Sequence, residues 1–241
     1  MRRSGTLMIA VLCMICTNIF GQSNDLGSWN IISVKYSLNN KWSVFGEAQL
    51  RSLKFYNHFH YHEIKGGLDF KTKYNLKLTL GGGNYQTYQE GGDFVLPKNN
   101  NEIRIWPQLS LTQSYGRINV EQRLRTEFRF TSNGYRNRFR YRLAVTYPFG
   151  KEKEDFRPFL IGFSSEIFLT DIKPYFERYR IQLALSYKPT RRTTIQIGYI
   201  NQLDYRLNDE IGRDFLQIGY FIELFPNKEN NPSLDMNTKD N

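Results

Sequence analysis

Ile-Asn-Val-Glu-Gln-Arg-Leu-Arg-Thr-Glu-Phe-Arg-Phe, residues 118–130, alternates between apolar and polar side chains. Ile118, Val120, Leu124, Phe128 and Phe130 are apolar, and every odd-numbered position is polar or charged. A period of two is typical of a β-strand with one apolar and one polar face. The stretch is longer than a usual soluble strand of about 5–6 residues. It matches a tilted strand that crosses a bilayer, which needs about 9–11 residues.

The same alternation recurs along the chain at a pitch of roughly twenty residues, as a meander of long strands requires. It predicts an all-β fold, an antiparallel transmembrane β-barrel of about ten to twelve strands. Because single-chain bacterial barrels have even strand numbers, we expect either that one candidate lies outside the wall or that a short strand near residues 22–26 precedes them. The eleven candidate strands span 27–38, 41–52, 60–71, 75–87, 102–114, 118–131, 137–148, 158–168, 176–187, 193–204 and 213–225.

The composition agrees with a barrel better than with a helical membrane protein. The mean hydropathy is −0.56, which is low because half of each barrel strand faces a polar interior. The 16 Tyr and 18 Phe suit aromatic girdles at the two bilayer interfaces. A soluble β-sandwich or a lipocalin-like barrel is the alternative, and the strand lengths argue against it.

The two ends of the chain predict export and a simple domain organisation. Arg2 and Arg3 precede a short apolar run, 7–16, as in a secretory signal peptide. We therefore expect a signal peptide at 1–21, a barrel at 22–225 in the cell outer membrane, and a disordered polar tail at 226–241. Both cysteines, Cys13 and Cys16, fall inside the signal, so the exported chain would carry no thiol. A lipid anchor on Cys16 is the alternative.

The predicted connections fall into two alternating sets. Barrels place short turns in the periplasm and longer loops outside. This rule assigns the longer set to the exterior. The shorter set comprises 39–40, 72–75, 115–117, 150–155 and 188–192, and the longer set comprises 53–59, 89–101, 131–136, 169–175 and 205–212.

The formal charge of +10 bears on the partners. The basic residues alternate with apolar ones inside strands, and the export signal separates the chain from cytoplasmic nucleic acid. We therefore predict no nucleic-acid partner. Anionic lipopolysaccharide, anionic solutes or internal ion pairs account better for the charge. The expected partners are outer-membrane lipid and the barrel assembly machinery, and the sequence leaves the oligomeric state open.

Several stretches resemble the DUF2490 family of bacterial outer-membrane proteins, which is frequent in Bacteroidota. They are Leu-Gly-Ser-Trp at 26–29, the strand at 41–51, the Glu-Ile-Lys-Gly-Gly-Leu run at 63–68, the arginine-rich pair at 121–142 and Arg-Tyr-Arg at 178–180. The resemblance covers nearly the whole predicted mature chain. It implies an outer-membrane barrel and no particular activity, because the family's function is unassigned.

The polar face of the strands predicts a charged interior. Since opposed residues of a hairpin point to one side, a hairpin centred about Gly134 places Glu127 opposite Arg140 or Arg142. The following connections bring Glu166 near those arginines and near Arg178. The predicted lumenal charge band is Glu127, Arg140, Arg142, Glu166 and Arg178. The further inward-facing charges are Glu47, Arg51, Arg123, Arg125, Arg129, Arg138 and Arg180.

Two interpretations fit these charges. Arginine–carboxylate pairs could close a narrow barrel, or surplus arginines could line an anion-selective pore. A barrel of about ten to twelve strands is largely filled by side chains, which favours closure or a very small pore. The sequence thus predicts a non-catalytic barrel with a structural role or a role in the passage of small solutes, with anions as the candidate solutes, and no cofactor.

Three other candidate sites remain. His60 and His62 occupy alternate positions of a strand, beside His58 and Glu63, and could chelate a metal; the aromatic surroundings favour interface residues, so no metal is predicted. Ser52 lies near these histidines, which leaves a lipid-modifying barrel enzyme as the alternative function, although no nucleophile motif is present. The Gly- and Asn-rich segment 89–101 suits a surface-binding loop.

Overall fold

The computed structural model describes residues 25–152, 156–206 and 209–226. The predicted signal peptide and the tail beyond Pro226 lie outside the described residues. Within the described ranges the chain forms strands and no helix. In chain order the strands are β1 (Leu26–Ser37), β2 (Trp42–Lys54), β3 (Asn57–Lys71), β4 (Leu76–Gln89), β5 (Val95–Tyr115), β6 (Ile118–Thr131), β7 (Gly134–Phe149), β8 (Phe159–Thr170), β9 (Phe176–Tyr187), β10 (Thr193–Arg206) and β11 (Asp209–Leu224).

The strands form a closed barrel in which each strand pairs antiparallel with the next. The predicted all-β barrel is confirmed. The expected even strand number is wrong, because all eleven strands belong to the wall. An odd number closes because β1 and β11 pair in parallel, from Leu26 opposite Asp214 to Tyr36 opposite Leu224. The start of β1 and the end of β11 therefore lie at opposite ends of the barrel.

The outer surface carries an apolar belt. Ile64 and Leu124 are 67% and 54% exposed, whereas Glu127, on the opposite face of Leu124's strand, is fully buried. Aromatic pairs flank the belt, with Trp42–Phe70 and Phe159–Tyr187 at the end where β1 finishes, and Phe130–Tyr135 and Phe176–Tyr205 at the other end. In the described part of the chain, no helix is long and apolar enough to cross a membrane.

The predicted alternation of short and long connections is wrong. The segment 53–59 is mostly strand, because β2 continues to Lys54 and β3 begins at Asn57, and 89–101 is the end of a hairpin that turns at 90–94. The longest connection, 150–158, belongs to the set expected to be short. The strands continue through polar residues at the rim of the barrel, because paired strands satisfy more backbone N–H and C=O groups with hydrogen bonds than an open loop does.

A glycine in the wall makes room for a large interior side chain. Trp106 is fully buried, and a Cβ at Gly81 would lie 2.5 Å from its indole ring. Gly81 is paired with Trp106 across β4 and β5. The absence of a side chain at Gly81 thus lets the indole lie against the wall.

Candidate functional site

The barrel encloses a cavity of about 570 Å³ lined by residues from every strand. This volume lies within the range of small-molecule sites, about 300–1,000 Å³. Among the described residues, the lining includes twelve Arg and Lys65, but only five Glu. The interior wall is therefore strongly basic.

The structure places all twelve predicted charged residues on the inner wall. Glu127 is fully buried behind the lining arginines, and the others line the cavity directly. These are Glu47, Arg51, Arg123, Arg125, Arg129, Arg138, Arg140, Arg142, Glu166, Arg178 and Arg180.

Glu127 is opposite Arg138, so the predicted register, with Glu127 opposite Arg140 or Arg142, is wrong. The turn consists of residues 132–133 between the paired Thr131 and Gly134, so the hairpin is not centred on Gly134. Arg138 Nη2 donates to Glu127 Oε2 at 2.6 Å. Arg140 still reaches this carboxylate diagonally, with Nη1 donating to Oε1 at 2.6 Å.

Glu166 is the second carboxylate that several arginines share. Its Oε1 accepts hydrogen bonds from Arg123 Nη2 at 2.7 Å and from Arg140 Nη2 at 2.9 Å. Arg180 Nη1 lies 3.6 Å from Oε2. Three guanidinium groups thus converge on one carboxylate.

The predicted proximity of Glu166 to Arg178 is wrong. In the ladder between β8 and β9, Glu166 is opposite Arg180 and Phe168 is opposite Arg178, with a register shift between Phe168 and Leu169. Arg178 instead forms its ion pair with Asp204 on β10. The irregularity lies at the strand end, where the sequence gives no sign of it.

Several interior carboxylates of the described chain are absent from the predicted set. Glu63 accepts a hydrogen bond from Lys65 at 2.6 Å, and Asp204 pairs with Arg178 as described. Glu102 accepts one from Arg104 Nε at 2.7 Å, and Glu177 accepts one from Arg129 Nη1 at 3.0 Å. For Glu102 the stretch Glu-Ile-Arg-Ile-Trp at 102–106 carried the necessary signal, because Ile103 and Ile105 face outward and so assign Glu102 and Arg104 to the interior.

Aromatic rings hold several guanidinium groups in place. Arg51 lies 3.4 Å from the centroid of Trp29, and Arg104 lies 3.7 Å from that of Tyr85. Arg180 lies between Trp29 and Phe168, at 4.7 and 4.9 Å. Stacking of this kind stabilises a cation and restricts its orientation.

The two histidines considered as metal ligands do not share a face. The register of β2 and β3 shifts between Arg51 and Ser52, and this bulge turns His60 into the cavity. His62 instead contacts Tyr88, with the ring centroids 5.7 Å apart. Among the described residues, no group of three or more potential ligands could hold a metal ion.

Ser52, considered as a nucleophile, is fully buried. Its Oγ donates to the Lys54 carbonyl oxygen at 2.6 Å and shares a hydrogen bond with Ser28 Oγ at 2.6 Å. The hydrogen bonds of Ser52 in the described chain include none to a histidine. The Ser–His contact on which the enzyme alternative depended is therefore not formed.

Together, the closed wall and the ion-paired, arginine-rich cavity define an eleven-stranded β-barrel with a charged interior. The family model described as "Protein of unknown function (DUF2490)" matches residues 26–212. The chain therefore belongs to the DUF2490 family, as the resemblance in its sequence indicated. A search of curated proteins finds no match.

Proposed function

We propose that the protein is an outer-membrane barrel that admits small anions into its interior. The apolar belt with aromatic pairs at both edges supports a membrane location, because lipid-facing barrel surfaces have this arrangement. A soluble protein would rarely expose so continuous an apolar surface. The signal-peptide features of the sequence supply the route to the outer membrane, where lipid and lipopolysaccharide would be its surroundings and the assembly machinery would insert it.

The observation that carries the anion assignment is the excess of arginine around the cavity. Arginine stays protonated at any physiological pH, and low-dielectric walls strengthen the potential inside a cleft. Rings of basic side chains favour anions in pores. The interior therefore attracts small anions and repels cations.

The size of the cavity limits the solutes. Trp29, Tyr85, Trp106 and Phe168 occupy much of the interior. The remaining volume of about 570 Å³ suits a small ion or metabolite and excludes oligomeric solutes. The proposed role is non-catalytic, and the hydrogen bonds that occupy Ser52 support this assignment.

The strand lengths support one orientation. β5 has 21 residues, and its hairpin with β4 turns at 90–94, at the end of the barrel where β1 begins. Barrels place their longer loops outside, and although the 150–158 connection at the other end is the longest loop, we give more weight to the extended β4–β5 hairpin, which projects furthest as ordered strand. We therefore assign the β4–β5 hairpin to the cell exterior and the 150–158 connection to the periplasm.

Tracer exchange in reconstituted liposomes tests the proposed function. Exchange of a tracer requires no net charge movement, so it reports the permeability of each ion separately. Because the interior is basic, the purified protein should exchange labelled chloride across the bilayer much faster than labelled sodium. Liposomes without protein provide the control. Exchange of sodium as fast as chloride, or no exchange above the control, would contradict the proposal.

A further inference from the structure

Four pairs of arginines stand directly opposite each other on neighbouring strands. They are Arg104 with Arg129, and Arg123, Arg125 and Arg129 with Arg142, Arg140 and Arg136 respectively. Residues opposed in this way have Cβ atoms about 4.5–5.5 Å apart, and like charges there are destabilising. Each pair therefore needs a neighbouring negative charge.

Three of the four pairs share a carboxylate that contacts both members. Glu102 accepts hydrogen bonds from Arg104 Nε at 2.7 Å and from Arg129 Nη2 at 3.0 Å. Glu127 lies 2.6 Å from Arg140 Nη1 and 3.6 Å from Arg125 Nη1. A bridging carboxylate is thus the usual solution within this barrel.

Glu177 bridges the third pair in the same way. It lies 3.0 Å from Arg129 Nη1 and 3.7 Å from Arg136 Nη2. The bridging carboxylate here comes from a different strand, β9, so the rule does not depend on one local sequence pattern.

The pair Arg123–Arg142 departs from this rule. Arg123 contacts Glu166 at 2.7 Å, but Glu166 is already shared with Arg140 and Arg180. Arg142 stands directly opposite Glu166 in the β7–β8 ladder, yet in the described chain its guanidinium group forms no hydrogen bond and no ion pair within 4 Å, and Glu166 and Glu121 act on it only through longer-range attraction. Both arginines line the cavity.

From this arrangement we infer that Arg123 and Arg142 form a saturable binding site for a small divalent oxyanion of the phosphate type. The inference deepens the proposed function, because it names the class of anion that the interior selects. The bound oxyanion would bridge the two guanidinium groups as Glu102, Glu127 and Glu177 bridge theirs.

The chemistry of the pair favours an oxyanion over a halide. A planar guanidinium group donates two parallel hydrogen bonds to two oxygens of one ligand, whereas a monatomic ion offers a single acceptor and cannot bridge two guanidinium groups with parallel bonds to each. The divalent charge follows from the surroundings, since one carboxylate, Glu166, serves three arginines before Arg142 is counted. Arg180 adds a buried Nε with no hydrogen-bond partner in the described chain, on the other side of Glu166.

Thermal unfolding of the purified protein in detergent tests the site. A ligand that binds only the folded state raises the unfolding temperature until the site is saturated. We expect sodium phosphate, and sodium sulfate likewise, to give such a saturating rise over sodium chloride of equal ionic strength. Arg142→Gln should weaken the apparent phosphate affinity roughly 10–100-fold, the loss expected for a hydrogen bond between charged groups.

Two further variants make the test specific. Arg157→Gln removes the same charge in the 150–158 connection, where Arg157 bonds to Gly150 and Glu152, and it should leave the phosphate effect unchanged. Arg142→Lys keeps the positive charge but lacks the planar guanidinium group. It should therefore retain only part of the phosphate affinity that Arg142→Gln loses. Equal responses to phosphate and chloride, or an unchanged response in Arg142→Gln, would overturn the site. Anion-selective tracer exchange without a saturable phosphate effect would overturn this inference alone.

Discussion

At the scale of single residues, a few buried carboxylates hold many arginines. Glu127 is fully buried and lies within 3.8 Å of four guanidinium groups, those of Arg104, Arg125, Arg138 and Arg140. These cations are largely removed from bulk water, and Glu127 supplies part of their compensation. Arg104, Arg138 and Arg140 also contact Glu102, Glu177 and Glu166 respectively, so the shared carboxylates link the arginines into one network.

Glu127→Gln should therefore be strongly destabilising. The change keeps the shape of the side chain and removes its charge, which leaves several buried cations short of a partner. We expect a loss of about 3–5 kcal/mol in the free energy of unfolding, measured by denaturant titration of the protein in lipid vesicles. Glu152→Gln is the matched control: its ion pair with Arg157 is exposed, so the loss should stay below about 1 kcal/mol. Equal losses in the two variants would show that the interior is open to bulk water.

Gly81→Ala tests the packing of Trp106. The new Cβ would lie 2.5 Å from the indole, so the ring must shift, at a cost of about 1–3 kcal/mol. Near-ultraviolet circular dichroism should report the changed tryptophan environment. Gly46→Ala, where nothing lies within 4 Å of the added Cβ, should change neither stability nor spectrum. An unchanged spectrum for Gly81→Ala would mean that the indole does not rest on this glycine.

The sequence predicted the composition of the interior better than its contacts. Period-two alternation assigns Glu127, Arg138 and Glu166 to the polar face without any knowledge of the fold. Which arginine meets which carboxylate depends on register, and register depends on the turns. With the two-residue turn at 132–133, the partner of Glu127 is Arg138, two residues from the nearer predicted one, and beyond the register shift at Phe168 the partner of Glu166 is Arg180, two residues from Arg178. Neither the turn nor the shift has a clear signal in one sequence.

At the scale of the strands, the parallel seam between β1 and β11 is the feature that the sequence did not reveal. Alternation identifies strands but says nothing about which two edges meet. Eleven antiparallel strands in a row leave two edges that run in the same direction, so closure requires parallel pairing. Without closure, the edge backbone groups would remain unpaired, and in the proposed membrane location this would cost several kcal/mol for each group.

A cysteine pair across the seam tests its register. Ile32 and Tyr220 are partners in the parallel ladder and face outward, so Ile32→Cys with Tyr220→Cys should form a disulfide on mild oxidation. Mass spectrometry of the digested protein detects the linked peptides. In the control, Ile32→Cys with Leu216→Cys, the second cysteine lies about 13 Å away along the strand, beyond disulfide reach. Cross-linking of the control pair instead would show a different register.

At the scale of the whole molecule, the odd strand number places the start of the first strand and the end of the last strand at opposite ends of the barrel. The chain enters the wall at one end and leaves it at the other. In the proposed orientation, the β4–β5 hairpin would project outside, and the end of β11 and the 150–158 connection would lie in the periplasm.

Cysteine labelling tests this orientation. Lys98→Cys in the β4–β5 hairpin should react with a membrane-impermeant thiol reagent on intact cells. Glu152→Cys should react only after the outer membrane is permeabilised. Both positions are exposed, so a difference in labelling reports sidedness and not burial. The reverse pattern would invert the barrel in the membrane.

The sign of the reversal potential in a planar bilayer tests the central claim most directly. With purified protein between two potassium chloride solutions of different concentration, an arginine-lined interior predicts a reversal potential close to the equilibrium potential of chloride. Higher ionic strength should reduce this preference, since salt screens the basic wall. A reversal potential closer to the equilibrium potential of potassium than to that of chloride would contradict the account. A membrane-inserted barrel that passes no current would also contradict it.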